Sequence, residues 1–262
     1  MVNKFFTVSQ IDGTVAGSPH ERELRDFSAS KFSLFRDLND EKLRRIVDEE
    51  LGAKIEDIGF REDWTITLEF FPEANIHVSY FYYGDEFGDI EGELRFLFSG
   101  ERVCWIPGED LVTYTGIVLN FIEDRAKNRE PYDKNYDEKS ELMKKILEQR
   151  KEPFKFLREE DADELEQFLG ARVARKDSVW SIKREVFSEI FIEVTYDESR
   201  NALDISYSGK NLNRIGRFYL ELIGTFLINH ILRYITTKNL EKKLPDICYK
   251  TFSILYAKEK GW

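Results

Sequence analysis

Three histidines, two cysteines and two dense groups of carboxylates are the side chains in this chain best suited to chemistry. A zinc site needs His and Cys at short spacings such as Cys-x-x-Cys or His-x-x-x-His. His20, His77 and His230 each lack a second His or a Cys at such a distance. His230 lies within an apolar run, which points to a hydrogen-bonded core or interface histidine. Cys104 follows a strand-like run and precedes Trp105, and reads as a small buried hydrophobe with no His close in sequence to activate it. The phosphate-binding loop, the dinucleotide turn and the Gly-x-Ser-x-Gly elbow are all missing from the sequence. The expectation is therefore a chain with no catalytic residue, no metal and no cofactor, with an unrecognised carboxylate site as the enzymatic alternative.

The carboxylates form two groups. Residues 159–164 precede an apolar-periodic segment, where acidic side chains cap free N–H groups and complement the positive end of a helix dipole. Residues 84–93 carry five carboxylates among glycines, directly after Tyr80-Phe81-Tyr82-Tyr83, and lack the oxygen spacing of an EF-hand loop. They read as a long hairpin. Aromatic residues on a protruding hairpin are enriched at protein interfaces, so Tyr82, Tyr83 and Phe87, with Asp85 and Glu86, are the expected partner-binding residues.

The other charged feature is basic. Between residues 238 and 260 six Lys face three carboxylates, 6 − 3 = +3. Lys242, Lys243, Lys250, Lys258 and Lys260 are the candidates for nucleic-acid contact, with Tyr249, Phe252, Tyr256 and Trp262 interleaved for base stacking. The whole chain opposes this reading. It carries 39 Lys and Arg against 50 Asp and Glu, a formal charge of −11, which repels a phosphate backbone.

The elements that would position these residues repeat along the chain. Residues 64–80 match 180–196 without a gap, pairing Trp64 with Trp180, Ile66 with Ile182, Glu69 with Glu185, Phe71 with Phe187, Glu73 with Glu189, Val78 with Val194 and Tyr80 with Tyr196. Upstream, Leu51-Gly52-Ala53-Lys54 matches Leu169-Gly170-Ala171-Arg172. Downstream, Phe98-Ser99-Gly100-Glu101 matches Tyr207-Ser208-Gly209-Lys210, and Gly116 and Leu119 match Gly224 and Leu227. Four blocks in one order indicate a tandem duplication.

Each repeat reads as helix, antiparallel strands, helix. Leu43, Ile46, Val47 and Leu51 form the stripe of an amphipathic helix ending at Gly52, and Leu165, Phe168 and Leu169 form its counterpart ending at Gly170. Period-two runs follow: 64–68, 76–80 and 94–98, then 180–182, 190–194 and 203–207. Closing helices are expected at about 110–123 and 212–235. The second of these, apolar on nearly all sides from Phe218 to Ile235, predicts burial all round.

The sequence thus predicts an α+β fold, a tandem duplication of a helix, antiparallel-strand and helix unit. Residues 1–31 form an N-terminal extension with a strand at 4–8, 32–125 the first repeat, and 126–152 a linker and connecting helix. Residues 153–236 form the second repeat, and 237–262 a Lys-rich extension with a strand at 249–255. Hydrophobic residues make up 42% of the chain, enough to exclude intrinsic disorder. No apolar run reaches the roughly 20 residues needed to span a bilayer. Two widely separated Cys and the lack of a leader-like apolar start predict a cytoplasmic protein. Three Gln in a chain that is 34% charged is a composition associated with thermophilic sources. The expected function is that of a non-enzymatic accessory or adaptor subunit binding another protein subunit or a second copy of itself. The alternative is an accessory subunit of a nucleic-acid-processing complex.

Overall fold

The structure, a computed structural model, describes residues 4–14, 18–84 and 91–262. It is α+β. Two compact units divide the chain, Met1–Arg129 with Ser253–Glu259, and Glu130–Phe252 with Lys260–Trp262. Among the described residues the first unit holds β1 (Phe5–Phe6), α1 (Val8–Asp12), α2 (Pro19–Asp37) and α3 (Asp40–Arg44), which continues as a π-helical segment, Arg45–Leu51. Then come β2 (Lys54–Glu56), β3 (Trp64–Phe71), β4 (Ala74–Tyr82), β5 (Gly92–Ser99) and α4 (Gly108–Ala126). The second unit holds α5 (Glu141–Arg150), α6 (Ala162–Leu169), β6 (Arg172–Lys176), β7 (Val179–Phe187), β8 (Ile190–Asp197), β9 (Ala202–Ser208), α7 (Arg217–Lys238) and α8 (Asp246–Lys250), and α9 (Ile254–Lys260) follows it. Both sheets are antiparallel, ordered β1-β5-β4-β3-β2 and β6-β7-β8-β9. No described helix is long and apolar enough to cross a membrane.

The sequence-matched blocks occupy matching places. Trp64 pairs with Tyr80, Ile66 with Val78 and Leu68 with Ile76, while Trp180 pairs with Tyr196, Ile182 with Val194 and Arg184 with Ile192. Each hairpin has a register shift at the same point, between Glu69 and Phe71 and between Glu185 and Phe187. Each turns through a residue of positive φ, Glu73 at 63° and Glu189 at 58°. The carbonyl of that residue accepts a backbone hydrogen bond from beyond the third strand of the meander, from Arg102 at 3.0 Å and from Asn211 at 3.3 Å. A short 3-10 turn follows in both, Val103–Trp105 and Leu212–Arg214, and then the closing helix.

One apolar face of each sheet is roofed by helices. In the first unit Phe32 of α2 stacks on Tyr80 at 5.3 Å, Tyr80 stacks on Trp64 at 4.8 Å, and Tyr114 of α4 meets Phe70 at 4.2 Å. A part-buried ion pair, Arg125 to Glu50 at 2.7 Å, ties α4 to the π-helical segment. In the second unit α7 lies on Ile192 and Ile205 through Gly224, and Phe154 packs on Tyr196 at 5.4 Å. Trp180 is fully buried and Trp64 half-buried.

Several expectations are corrected. The expected N-terminal strand is only Phe5–Phe6, because Thr7 caps α1 with a reciprocal capping box to Gln10. Residues 19–37, expected within an extension and the start of the first repeat, form one helix capped by Ser18 with Pro19 in its first turn. In both units a further helix, α2 or α5, thus precedes the helix with which the repeat is expected to open. The expected strand at 249–255 is two helical segments, α8 and α9, joined at Ser253. Its β-like composition reflects burial: Tyr249 and Phe252 pack edge-on to Trp262, and strand propensity reports a fit to half-buried surface as much as pairing. The two glycines paired by sequence also face different neighbours. Gly116 lies under Phe27 of α2 and Gly224 on Ile205 of β9, one residue out of step when counted from the start of each helix.

At Gly100 (φ 110°) a Cβ would stand 2.1 Å from the Glu73 carbonyl oxygen, and at Gly209 (φ 131°) 2.0 Å from that of Glu189. Gly100→Ala and Gly209→Ala should each destabilise the protein by roughly 2–4 kcal/mol, combining positive-φ strain with a backbone clash. Gly52→Ala, at φ 70° with open space around it, should lose only about 1 kcal/mol. Thermal melting of the three variants checks the ranking.

Candidate functional site

The hairpin after β4 presents part of the surface read from sequence. Tyr82 is 51% exposed, and its backbone N–H donates to the Asp63 carboxylate at 2.7 Å. Tyr83 is held down. Its hydroxyl donates to Glu93 at 2.7 Å and accepts from Arg95 at 3.2 Å, while Arg95 covers the Phe81 ring at 4.3 Å. Burial and the Glu93 carboxylate push the Tyr83 phenol upward. Asp85, Glu86 and Phe87 lie outside the described residues.

The lysine-rich segment does not form a strand edge. Lys243, Lys250, Lys258 and Lys260 are exposed on helices and connections, with Lys258 in the first unit and the others in the second. Lys242 is half-buried, donating to Asn239 at 2.7 Å and lying 5.6 Å from the Phe156 ring centre. The rings considered for stacking on bases are engaged in packing. Tyr249 and Phe252 meet Trp262, and Tyr256 lies 5.2 Å from Trp105.

A surface that the sequence did not disclose lies between α5 and α7. Burial of α7 is nearly complete from Ile223 to Thr236, with His230 fully buried and stacked on Phe168 at 4.6 Å. Its first turn departs from the expected burial all round. Phe218 is 59% exposed, and Leu142 of α5, facing the same cleft, is 57% exposed. Between them opens a cleft of about 280 Å³ whose walls include Met143, Ile146 and Leu222.

Polar groups sit at set points around that cleft. Glu221 is only 7% exposed, and its two oxygens accept from the backbone N–H and the hydroxyl of Ser140. The same Ser140 hydroxyl accepts from Met143 N–H at 3.1 Å and so caps α5. Arg217 donates to Asp133 at 2.7 Å and to the Glu138 carbonyl at 2.8 Å. Tyr207 of β9 keeps its hydroxyl buried and bonded to none of the described residues, with its phenol pushed upward by burial first and then by the Glu221 charge. In the first unit the same strand and helix positions hold Phe98 and Val112, both fully buried. A lone carboxylate in an apolar helix was the available signal in the sequence for Glu221.

His77 lies in β4, on the first sheet's other face. Its ring nitrogens meet Thr67 Oγ at 2.9 Å and Ser99 Oγ at 2.8 Å, and Phe5 packs edge-on at 5.1 Å. A Ser–His pair at this distance has the geometry for proton transfer, but Ser99 and His77 are both about 4% exposed, beneath Phe5. The arrangement is a buried hydroxyl–imidazole group, and a second buried hydroxyl pair, Thr65 and Ser79 at 2.8 Å, lies on β3 and β4. Among the described residues no cluster of three or more His, Cys, Asp or Glu is arranged to hold a metal ion.

Comparison with protein-family models, with curated proteins and with solved structures finds no match.

Burial lowers the His77 pKa from 6.5 to about 4. Keeping this ring neutral therefore contributes stability that is complete above the unfolded value and lost as pH falls from 6.5 through 4, by at most about 3 kcal/mol. The melting temperature should fall across that window, and His77→Gln should flatten the slope there.

Proposed function

We propose that this chain is a non-enzymatic binding protein, an accessory or adaptor subunit made of a duplicated α+β module, and that it holds a protein partner at the α5–α7 cleft. The observation that carries the reading is the exposure of Phe218 and Leu142 at the mouth of an apolar cleft. Large apolar side chains grouped around a concavity mark interaction sites more often than scattered ones, and buried aromatic anchors dominate interface energies. The matched strand registers, the common turn at Glu73 and Glu189 and the common glycine contact support the duplication. Tyr82 offers a second, smaller contact on the first unit. Two free thiols, Cys104 and Cys248, suit a reducing cytoplasm. Nucleic-acid contact at the lysine-rich segment is the weaker reading, since its aromatic rings are engaged and the chain's charge is −11.

Capture from a lysate of the native host, with and without nuclease, tests this. A stoichiometric protein partner should survive nuclease and be lost with Phe218→Asp, whose melting temperature should change little because the ring is exposed. A partner that disappears with nuclease, or that Phe218→Asp retains at full level, would overturn the reading.

A further inference from the structure

The cleft between α5 and α7 also has a chemistry. Its size, about 280 Å³, falls just under the usual range for small-molecule sites, roughly 300–1,000 Å³, and suits one long side chain from a partner. Its charges are uneven. Two carboxylates, Asp133 and Glu221, face one guanidinium, Arg217, and that guanidinium is already engaged by Asp133 and by the Glu138 carbonyl. Among the described residues the hydrogen bonds to the Glu221 carboxylate come from Ser140, while Arg217, four residues back on the same helix, turns its guanidinium to Asp133 and the Glu138 carbonyl. Each carboxylate oxygen can accept more than one hydrogen bond, so both retain capacity for a further donor.

The fold does not require a carboxylate at this place. The first unit closes its own sheet with Val112 at the equivalent position of α4, fully buried. A buried carboxylate in place of an apolar side chain is a desolvation liability unless it is partnered. The long-range field acts in the same direction, because a chain of charge −11 attracts basic segments and repels acidic ones.

We infer that the α5–α7 cleft receives a Lys or Arg side chain from a partner protein segment, its aliphatic stem lying along Phe218, Leu142, Ile146 and Leu222 and its charged head meeting Glu221. Lys and Arg stems pack readily on apolar walls while their heads reach a polar end. The inference rests on the reading of this cleft as the partner site and adds the partner's chemistry to it.

The test uses the full chain, labelled with nitrogen-15, and acetyl-Leu-Lys-Leu-amide as the probe. Amide shifts should move along 141–150 and 217–225. The norleucine analogue, which keeps the stem and removes the charge, should bind roughly tenfold more weakly, and the Glu analogue weaker still. Glu221→Gln should reduce the Lys peptide to the level of its norleucine analogue, whereas Leu142→Ala should weaken both peptides alike. Equal binding of the Lys and norleucine peptides overturns the inference while leaving the partner site intact, and that comparison needs only the unmodified protein. Shifts confined to other surfaces, or no shift at about 10 mM Lys peptide, also overturn it, whatever the outcome of lysate capture.

Discussion

At Gly100 and again at Gly209 a backbone carbonyl oxygen stands where any other residue would place its Cβ. That contact joins the hairpin turn of the two preceding strands to the end of the strand that follows them. Because the turn carbonyl also accepts a hydrogen bond from Arg102 or Asn211, the chain leaves the sheet at a fixed point and in a fixed direction. The 3-10 turn and the closing helix start from there. With that start set, the apolar side of α4 or α7 falls on the apolar face of its own meander, and period-two strands acquire the cover they need. The other helices of each unit pack around an arrangement that this contact has already oriented.

On this common frame the units carry different polar chemistry. The first fills the strand-end and helix positions with Phe98 and Val112, and places its hydroxyls and His77 on the opposite sheet face, roofed by Phe5. The second puts Tyr207 and Glu221 at those two positions and satisfies the carboxylate through Ser140, the residue that also caps α5. The Glu221–Ser140 contact thereby couples the second unit's closing helix to α5, and the cleft opens along that seam. In the first turn of α7 Phe218 is exposed while Leu220 is buried.

Much of this was legible in order along the chain. Strands with a period of two, the helices that end at Gly52 and Gly170, and the register-matched blocks around Trp64 and Trp180 follow from local patterns and need no knowledge of neighbours. Residues 19–37 escaped because their apolar positions are few among charged ones, although Ser18-Pro19 is a helix start. The terminal segments misled for a different reason. Aromatic and β-branched residues near Phe5 and near Phe252 suggest strands, yet Thr7 and Pro245 begin helices there, and the rings are used for packing.

What the sequence by itself determined is therefore the α+β class and the order of the central elements, because these depend on periodicity and turn residues that act within a few positions. What only the tertiary structure decided is which surfaces are bare. Phe218 looks in sequence like the start of a fully buried helix, and Glu221 like an incidental charge within it. Exposure depends on where α5 happens to end its cover, and the fate of a buried carboxylate depends on Ser140, 81 residues away in the chain. Side chains that distant meet only after the sheet and helices have packed, so no local pattern could announce the cleft they form.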